Sequence, residues 1–363
     1  MTQIPVLDLP ADPRTAGRLH GERLREGVAS NAREYRIRIR VAGLDDAGID
    51  RRSREFVDRV AEYDPGYREA MEGISEGSGV DLVDVAMVNA RYELLYTTWS
   101  EFGRPTAASL EGECTSFGGA AEAFEDGEIH IGQNWDWFPQ IEGAWVRWEK
   151  DGVRALGFTE AGIAGAKIGI NSEGLGVCLM GLGSSEDDWR IAGMPVHMRT
   201  QRVLESRTLR EAVGVVAGGR PGCSADFLIG SEEGVVNAET SPRGSLVTYQ
   251  DGERPLVHAN HFLEAQALGI DQSWLRTGKQ STFDRYERMS GLVGEGPVSV
   301  DGMKRAMRDH ENGELSLCRH AVESDPPELW STTAMSVQMN LTRRELEYTW
   351  GTPCDKEYER IAL

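Results

Sequence analysis

Residues 113–137 read ECTSFGGAAEAFEDGEIHIGQNWDW. Two apolar runs flank Asp126-Gly127, and an acidic residue followed by Gly between such runs is a hairpin signal. The pattern recurs downstream. Asp151-Gly152 separates AWVRWEK from VRALGFTE, and Asn171-Ser172-Glu173-Gly174 separates AGAKIGI from LGVCLMGL. A further strand group covers SADFLIGSEEGVVNAETSPRGSLVTYQDG (224–252), and the last is TAMSVQMNLTRRELEYTW (333–350). From Cys114 onward the chain therefore predicts antiparallel sheet.

Upstream the texture is helical. LHGERLREGVASNAREYRIR (19–38) is rich in helix formers, and a second block runs from about Arg52 to Ser75, broken at Asp64-Pro65-Gly66. DLVDVAMVNARYELLY (81–96) sets Val83, Ala86, Met87 and Ala90 at helical spacing. FGRPTAASLEG (102–112) reads as a loop or linker. Thr208 and Glu211 fit a capping box for a helix to Ala217, and helices return between about Gln280 and His310. Helices, strands, helices, strands is the order of an α+β layered fold, not of a parallel βαβ array.

The chain has 363 residues, enough to bury a large core without disulfide or metal staples. Its 59 acidic against 39 basic residues give a net charge of −20, which disfavours nucleic acid and anionic membrane as partners. No signal peptide and no apolar run of transmembrane length is read. The five cysteines are scattered and include no CxxC pair, which argues against a disulfide framework or a zinc site and for a cytoplasmic location.

Among single residues, Cys114 stands out by its place at the start of a strand after a Pro/Gly/Ser loop, although a free Cys is ordinarily a small core residue. Asp136, among the aromatics of GQNWDW, is either a turn-former or a site residue. His258 and His261 in HANH have metal-like spacing, but nothing completes a ligand set; Asn260 between them is a candidate buried amide. In DHENGELSLCRH (309–320), Cys318 with His310 or His320 suggests a Cys-His pair, against the plainer reading of a structural polar cluster.

Taken together, ECTSFG, GQNWDW and HANHF resemble the acyl-coenzyme A:isopenicillin N acyltransferase family of N-terminal-nucleophile (Ntn) hydrolases. Further similarity lies in HGERLR, in MEGISEGSGVDLVDVAMVNARYELLY and in DHENGELSLCRH, so the resemblance spans about His20 to Pro353. It implies a four-layer αββα sandwich with a helical N-terminal leader. Members cut themselves before the nucleophile, here at Glu113–Cys114, giving a leader of residues 1–113 that stays associated with a catalytic portion, 114–363. Matched residue by residue, Cys114 takes the nucleophile's place, its freed α-amine the base's, Asp136 that of the acid orienting the amine, and Asn260 that of the oxyanion-stabilising amide. No cofactor and no metal is implied. The expected substrate is a small N-acyl compound, with acyl-CoA as another acyl source, and homo-oligomers are compatible with it.

Two departures stand out. Fungal members carry Gly before the Cys, where this chain has Glu113, and Trp330 occupies the place of a catalytic Arg. These motivate a rival reading, an uncleaved and catalytically silent homologue that binds or scaffolds. A conventional hydrolase built on Cys318 and His310 or His320 is a third.

Overall fold

The structure is a computed structural model that describes residues 4–102, 114–278 and 280–363. The N-terminal helices are punctuated by aspartates. Asp12 accepts from Thr15 N and, with Pro13 in the first turn, starts α1 (Pro13–Arg23). The chain breaks at Leu24 before α2 (Arg25–Val41), so the helix expected over 19–38 is two helices. Asp45 caps α3 (Asp46–Tyr63). Asp64 then ends α3 and caps α4 (Pro65–Ser78), accepting from Gly66 N and Tyr67 N, as the Asp-Pro-Gly break foretold. Asp81 caps α5 (Leu82–Asn89), and α6 (Arg91–Phe102) follows. The loop expected over 102–112 lies almost wholly outside the described residues, as does Glu113.

Helices α1 and α4 meet backbone to backbone. A Cβ on Gly17 would lie 2.0 Å from the Ala70 carbonyl oxygen, and one on Gly73 would lie 2.2 Å from that of Arg14. Any side chain at these positions would force the helices apart.

The strands form two sheets among the described residues. One contains β1 (Val6–Asp8), β4 (Gly143–Lys150), β5 (Val153–Glu160), β6 (Ile168–Asn171), β7 (Gly176–Gly181), β8 (Ala225–Ser231), β9 (Gly234–Ser241) and β10 (Gly244–Tyr249), in that order. Only the β1–β4 pairing is parallel. The other sheet is antiparallel: β11 (Leu256–His258), β2 (Thr115–Gly119), β3 (His130–Trp137), β12 (Thr332–Asn340), β13 (Glu345–Trp350) and β14 (Glu359–Ala362). The turn at Asp151-Gly152 has φ of 51° and 81° and joins β4 to β5 directly, as a two-residue hairpin requires. Asp126-Gly127 does not join β2 to β3 so tightly, because a 3₁₀ turn over Ala121–Ala123 intervenes.

The sheets pack face to face, β2 and β3 lying on β7 and β8. Gln133 on β3 crosses the interface and pairs with the Leu179 backbone, donating to its carbonyl at 2.6 Å and accepting from its N–H at 3.2 Å. Helices α7 (Val196–Leu204) and α8 (Leu209–Ala217) cover the outer face of the larger sheet. The Thr208 hydroxyl caps α8, but Glu211 reaches back to Arg207 N instead of closing the reciprocal box on Thr208. On the smaller sheet α11 (Ser281–Val293) and α12 (Val300–Ala306) bury Met289, Val293 and Met303 against Phe117 and Val257. Two short helices, α9 (Ala265–Leu268) and α10 (Ser273–Gly278), precede them. The layering is helix, sheet, sheet, helix, the αββα arrangement expected.

The N-terminal segment is not wholly helical, since β1 extends the larger sheet. Its helices cover one end of that sheet, where β4 and β8 begin and β5 and β7 finish. Asn31 donates to the carbonyls of Glu142 and Ala161 at 2.9 Å, and the single Tyr92 hydroxyl proton is shared between those of Ser224 at 3.1 Å and Met180 at 3.3 Å. Cys114 enters β2 at the same end.

Candidate active site

Cys114 is buried immediately before β2. Its backbone N–H donates to Asn260 Oδ1 at 2.5 Å. Arg285, fully buried on α11, donates through Nη1 to the Cys114 carbonyl and, at 2.8 Å, to Thr115 Oγ1, while Nη2 reaches Asn260 Oδ1 at 3.0 Å. Two donors thus converge on Oδ1, and Nδ2 faces an acceptor, the Gly181 carbonyl, at 2.9 Å. Those three partners fix which way the amide points. One of its two N–H bonds is committed to Gly181.

The Asp136 carboxylate comes from β3, beside a bulge where β12 leaves Ala334 unpaired between Thr333 and Met335. Thr333 Oγ1 donates to Asp136 Oδ1 at 2.7 Å and accepts from Arg319 N at 2.9 Å. Burial first, and then the Asp136 charge, push the Cys114 thiol up to about 11. The Asp136 backbone N–H, Arg285 and Gln133 pull the other way and offset only part of that rise. In the continuous chain the sulfur is therefore a protonated, poorly nucleophilic thiol at neutral pH.

The HANH segment is held by a buried charge cluster and carries no histidine ligand pair. His258 Nε2 lies 2.8 Å from Glu239 Oε1, and Nδ1 lies 3.6 Å from Asp226 Oδ2. Asp226 and Glu239 are register partners on β8 and β9, so one imidazole bridges two neighbouring strands. Burial alone would lower His258, but Asp226 and Glu239 outweigh it and hold the ring at about 9. His261 instead contacts Thr282 Oγ1 at 3.0 Å, and the same hydroxyl accepts from Asn260 N at 2.8 Å.

A second buried cluster flanks the site. Glu160 receives Arg91, Lys167 and the Tyr35 hydroxyl, and Lys167 Nζ sits 3.0 Å over the Trp135 ring. Burial pushes Glu160 up, but Arg91 and Lys167 overcome it and hold the carboxylate ionised, at about 2.

Cys114, Asp136 and Asn260 are thus assembled at one place. Trp330 is elsewhere engaged, donating to the Asp325 carbonyl at 2.8 Å while its own carbonyl accepts from Arg38. Sequence reasoning missed Arg285, Gln133 and Lys167. For Arg285 a signal existed, because Thr282, Arg285, Met289 and Val293 share one buried helical stripe in which the single charge is out of place.

An αββα sandwich with a buried cysteine leading into β2 is the arrangement that the resemblance implies. The chain belongs to the acyl-coenzyme A:6-aminopenicillanic acid acyl-transferase family, whose model matches residues 123–355. The acyl-coenzyme A:6-aminopenicillanic-acid-acyltransferase 40 kDa form of Emericella nidulans is 27% identical over 283 residues, 75% of this chain and 72% of the relative. Similar solved structures include a mutant of conjugated bile acid hydrolase from Clostridium perfringens (TM-score 0.46, 12% identity, 68% of this chain and 92% of that one). Penicillin V acylase from Agrobacterium tumefaciens has a TM-score of 0.42 at 16% identity, over 65% of this chain and 83% of that one. The Caenorhabditis elegans ortholog of N-acylethanolamine-hydrolyzing acid amidase gives 0.45 at 17%, over 63% and 93%. Among the described residues no helix is long and apolar enough to cross a membrane.

Proposed function

We propose that the chain is a self-processing cysteine amidohydrolase or acyltransferase that carries its acyl group as a thioester on Cys114. The observation that supports this best is the Cys114 N–H held by Asn260 Oδ1, with Arg285 bracing both Asn260 and the Cys114 carbonyl. That nitrogen is the leaving group of self-cleavage. Cys114 Sγ attacks the Glu113 carbonyl carbon, the C–N bond breaks as nitrogen takes up a proton, and water hydrolyses the resulting thioester. Residues 1–113 then stay associated with 114–363.

The freed α-amine has an ordinary pKa near ~8, within reach of a thiol proton at neutral pH. Asn260 Oδ1 accepts one amine N–H and turns the lone pair toward sulfur, and Asp136 favours the ammonium that forms. The second Nδ2 hydrogen of Asn260 donates to the tetrahedral oxyanion, a contribution of about 3 kcal/mol for a well-aimed donor. Either water or an amine resolves the acyl-enzyme.

Small N-acyl compounds are the substrates this reading favours, in keeping with the amide- and acyl-transfer names of its relatives. Between the two outcomes hydrolysis is preferred, because a net charge of −20 offers little to coenzyme A phosphates. Intact-mass measurement of the purified chain beside Cys114→Ala tests the proposal. Two fragments split before Cys114 in the wild type and one chain in the variant are expected. Processing and turnover that both survive Cys114→Ala would sink it, and an uncut wild-type chain with an inert thiol would favour a silent binding homologue.

A further inference from the structure

A second constellation lies where the sequence offers no CxxC signal. His310, Cys318, His320 and Cys354 bring one ligand atom each to within 4.8 Å of all the others. His310 Nε2 is 3.1 Å from His320 Nε2, and the Cys318 and Cys354 sulfurs are 3.8 and 3.4 Å from that same nitrogen. Tetrahedral zinc with bonds of about 2.0 Å to nitrogen and 2.3 Å to sulfur has ligand–ligand edges of about 3.3 Å (N–N) and 3.5 Å (N–S). The three separations measured at His320 Nε2 match those edges to within a few tenths of an ångström. Two imidazole nitrogens facing each other at 3.1 Å also cannot both present lone pairs unless a proton or a cation lies between them.

Bonds that do not involve these four side chains hold the segments that carry them. Cys318 N donates to Asp309 O and His320 N to Glu314 O, both at 3.0 Å, which folds the 309–320 loop on itself. Arg308 Nε donates to the Pro353 carbonyl at 2.8 Å and so delivers Cys354 to that loop. The convergence is thus preorganised, and a soft Cys₂His₂ set selects zinc over hard cations.

We infer that these four residues bind one zinc ion in a closed, four-coordinate structural site. The ion ties the 309–320 loop to the segment after β13. The loop in turn supports the Cys114 centre, since Asn134 donates to the Leu317 carbonyl at 2.7 Å and Arg319 N donates to the Thr333 hydroxyl that holds Asp136. With zinc bound, the Cys318 sulfur and His320 Nε2 would both be taken up as ligands, which leaves no base for a nucleophilic Cys318.

The test is metal content by plasma mass spectrometry on tag-free, full-length protein purified under reducing conditions. About one zinc per chain is expected in the wild type and equally in Cys114→Ala, so failure of the proposed catalysis would leave this result untouched. Cys354 is exposed, and Cys354→Ser is expected to stay folded by circular dichroism while zinc affinity falls at least roughly tenfold. If that variant does not fold, cobalt titration of metal-free wild type decides alone: intense tetrahedral bands with thiolate-to-cobalt charge transfer support the site. Protein that neither retains zinc nor takes up cobalt would overturn it. So would unchanged zinc affinity, measured in competition with a chelator, in both Cys354→Ser and His310→Ala, or a Cys318–Cys354 disulfide in the purified chain.

Discussion

Replacing Arg285 by Met removes the guanidinium but keeps much of the side-chain volume. The wild-type group donates to the Cys114 carbonyl, to Thr115 Oγ1 and to Asn260 Oδ1, all buried. After the change Asn260 Oδ1 keeps the Cys114 N–H, and the Thr115 hydroxyl can rotate toward another acceptor, but the Cys114 carbonyl loses a charge-assisted donor. Buried bonds of this kind are worth about 1.5–3 kcal/mol each, and relief of the cation's own desolvation subtracts from the total. A net loss of about 3 kcal/mol is expected, read as a lower urea midpoint at unchanged slope. Intact mass should show a larger uncut fraction, because the amide that holds the Cys114 nitrogen has lost a brace. Arg285→Lys should recover less than half, since an ammonium cannot span two acceptors as a planar fork does. A loss below about 1 kcal/mol, the range of surface substitutions, together with unchanged processing would refute the reasoning.

Alkylation of Cys114 in the uncut chain should follow its thiol at about 11, so that at pH 8 only about one-thousandth is thiolate and the rate climbs tenfold per pH unit; a plateau below about pH 9 would contradict this. Gly73→Ala, whose Cβ would press on the Arg14 carbonyl, should cost roughly 1–3 kcal/mol in thermal unfolding. Gly214→Ala on α8, with open space around it, should be neutral or slightly stabilising, and equal effects at the two sites would remove close helix contact as the cause. His258 is raised from an ordinary 6.5 to about 9 in the folded chain, so its contribution is complete below pH 6.5 and is lost as pH rises through about 9. Urea midpoints should fall across that window and flatten in His258→Gln; a midpoint that rises instead would reverse the sign assigned to the cluster.

Local chemistry made much of this molecule legible in sequence. Asp64-Pro65-Gly66 marks the α3–α4 boundary because a carboxylate cap and a fixed Pro φ act within three residues, and Asp151-Gly152 marks a hairpin because both residues accept positive φ. Helix α7 and strands β1 and β14 passed unnoticed, being short and settled by long-range packing: β1 exists only through its pairing with β4, 139 residues away from Val6 to Trp145. At the candidate site, Cys114, Asp136 and Asn260 were singled out through motif order. Arg285 was not, since its partners sit 171 and 25 residues distant. The widely spaced cysteines argued against a metal, yet Cys318 and Cys354 meet because Arg308 grips Pro353, a contact that no spacing rule encodes.

The N-terminal helices bury Tyr35, Trp99 and Tyr92 in the main core, and the segment they belong to adds an edge strand to the larger sheet. If the chain is cut before Cys114, this shared core makes refolding a meeting of two molecules. An uncut chain regains its structure at a rate independent of concentration, with both halves tethered. A cut one, once unfolded, must find its other half by diffusion while each exposes half a core. Cutting would then act as a ratchet: activity is gained once, during the first folding, and is not recovered in dilute solution after the structure is lost.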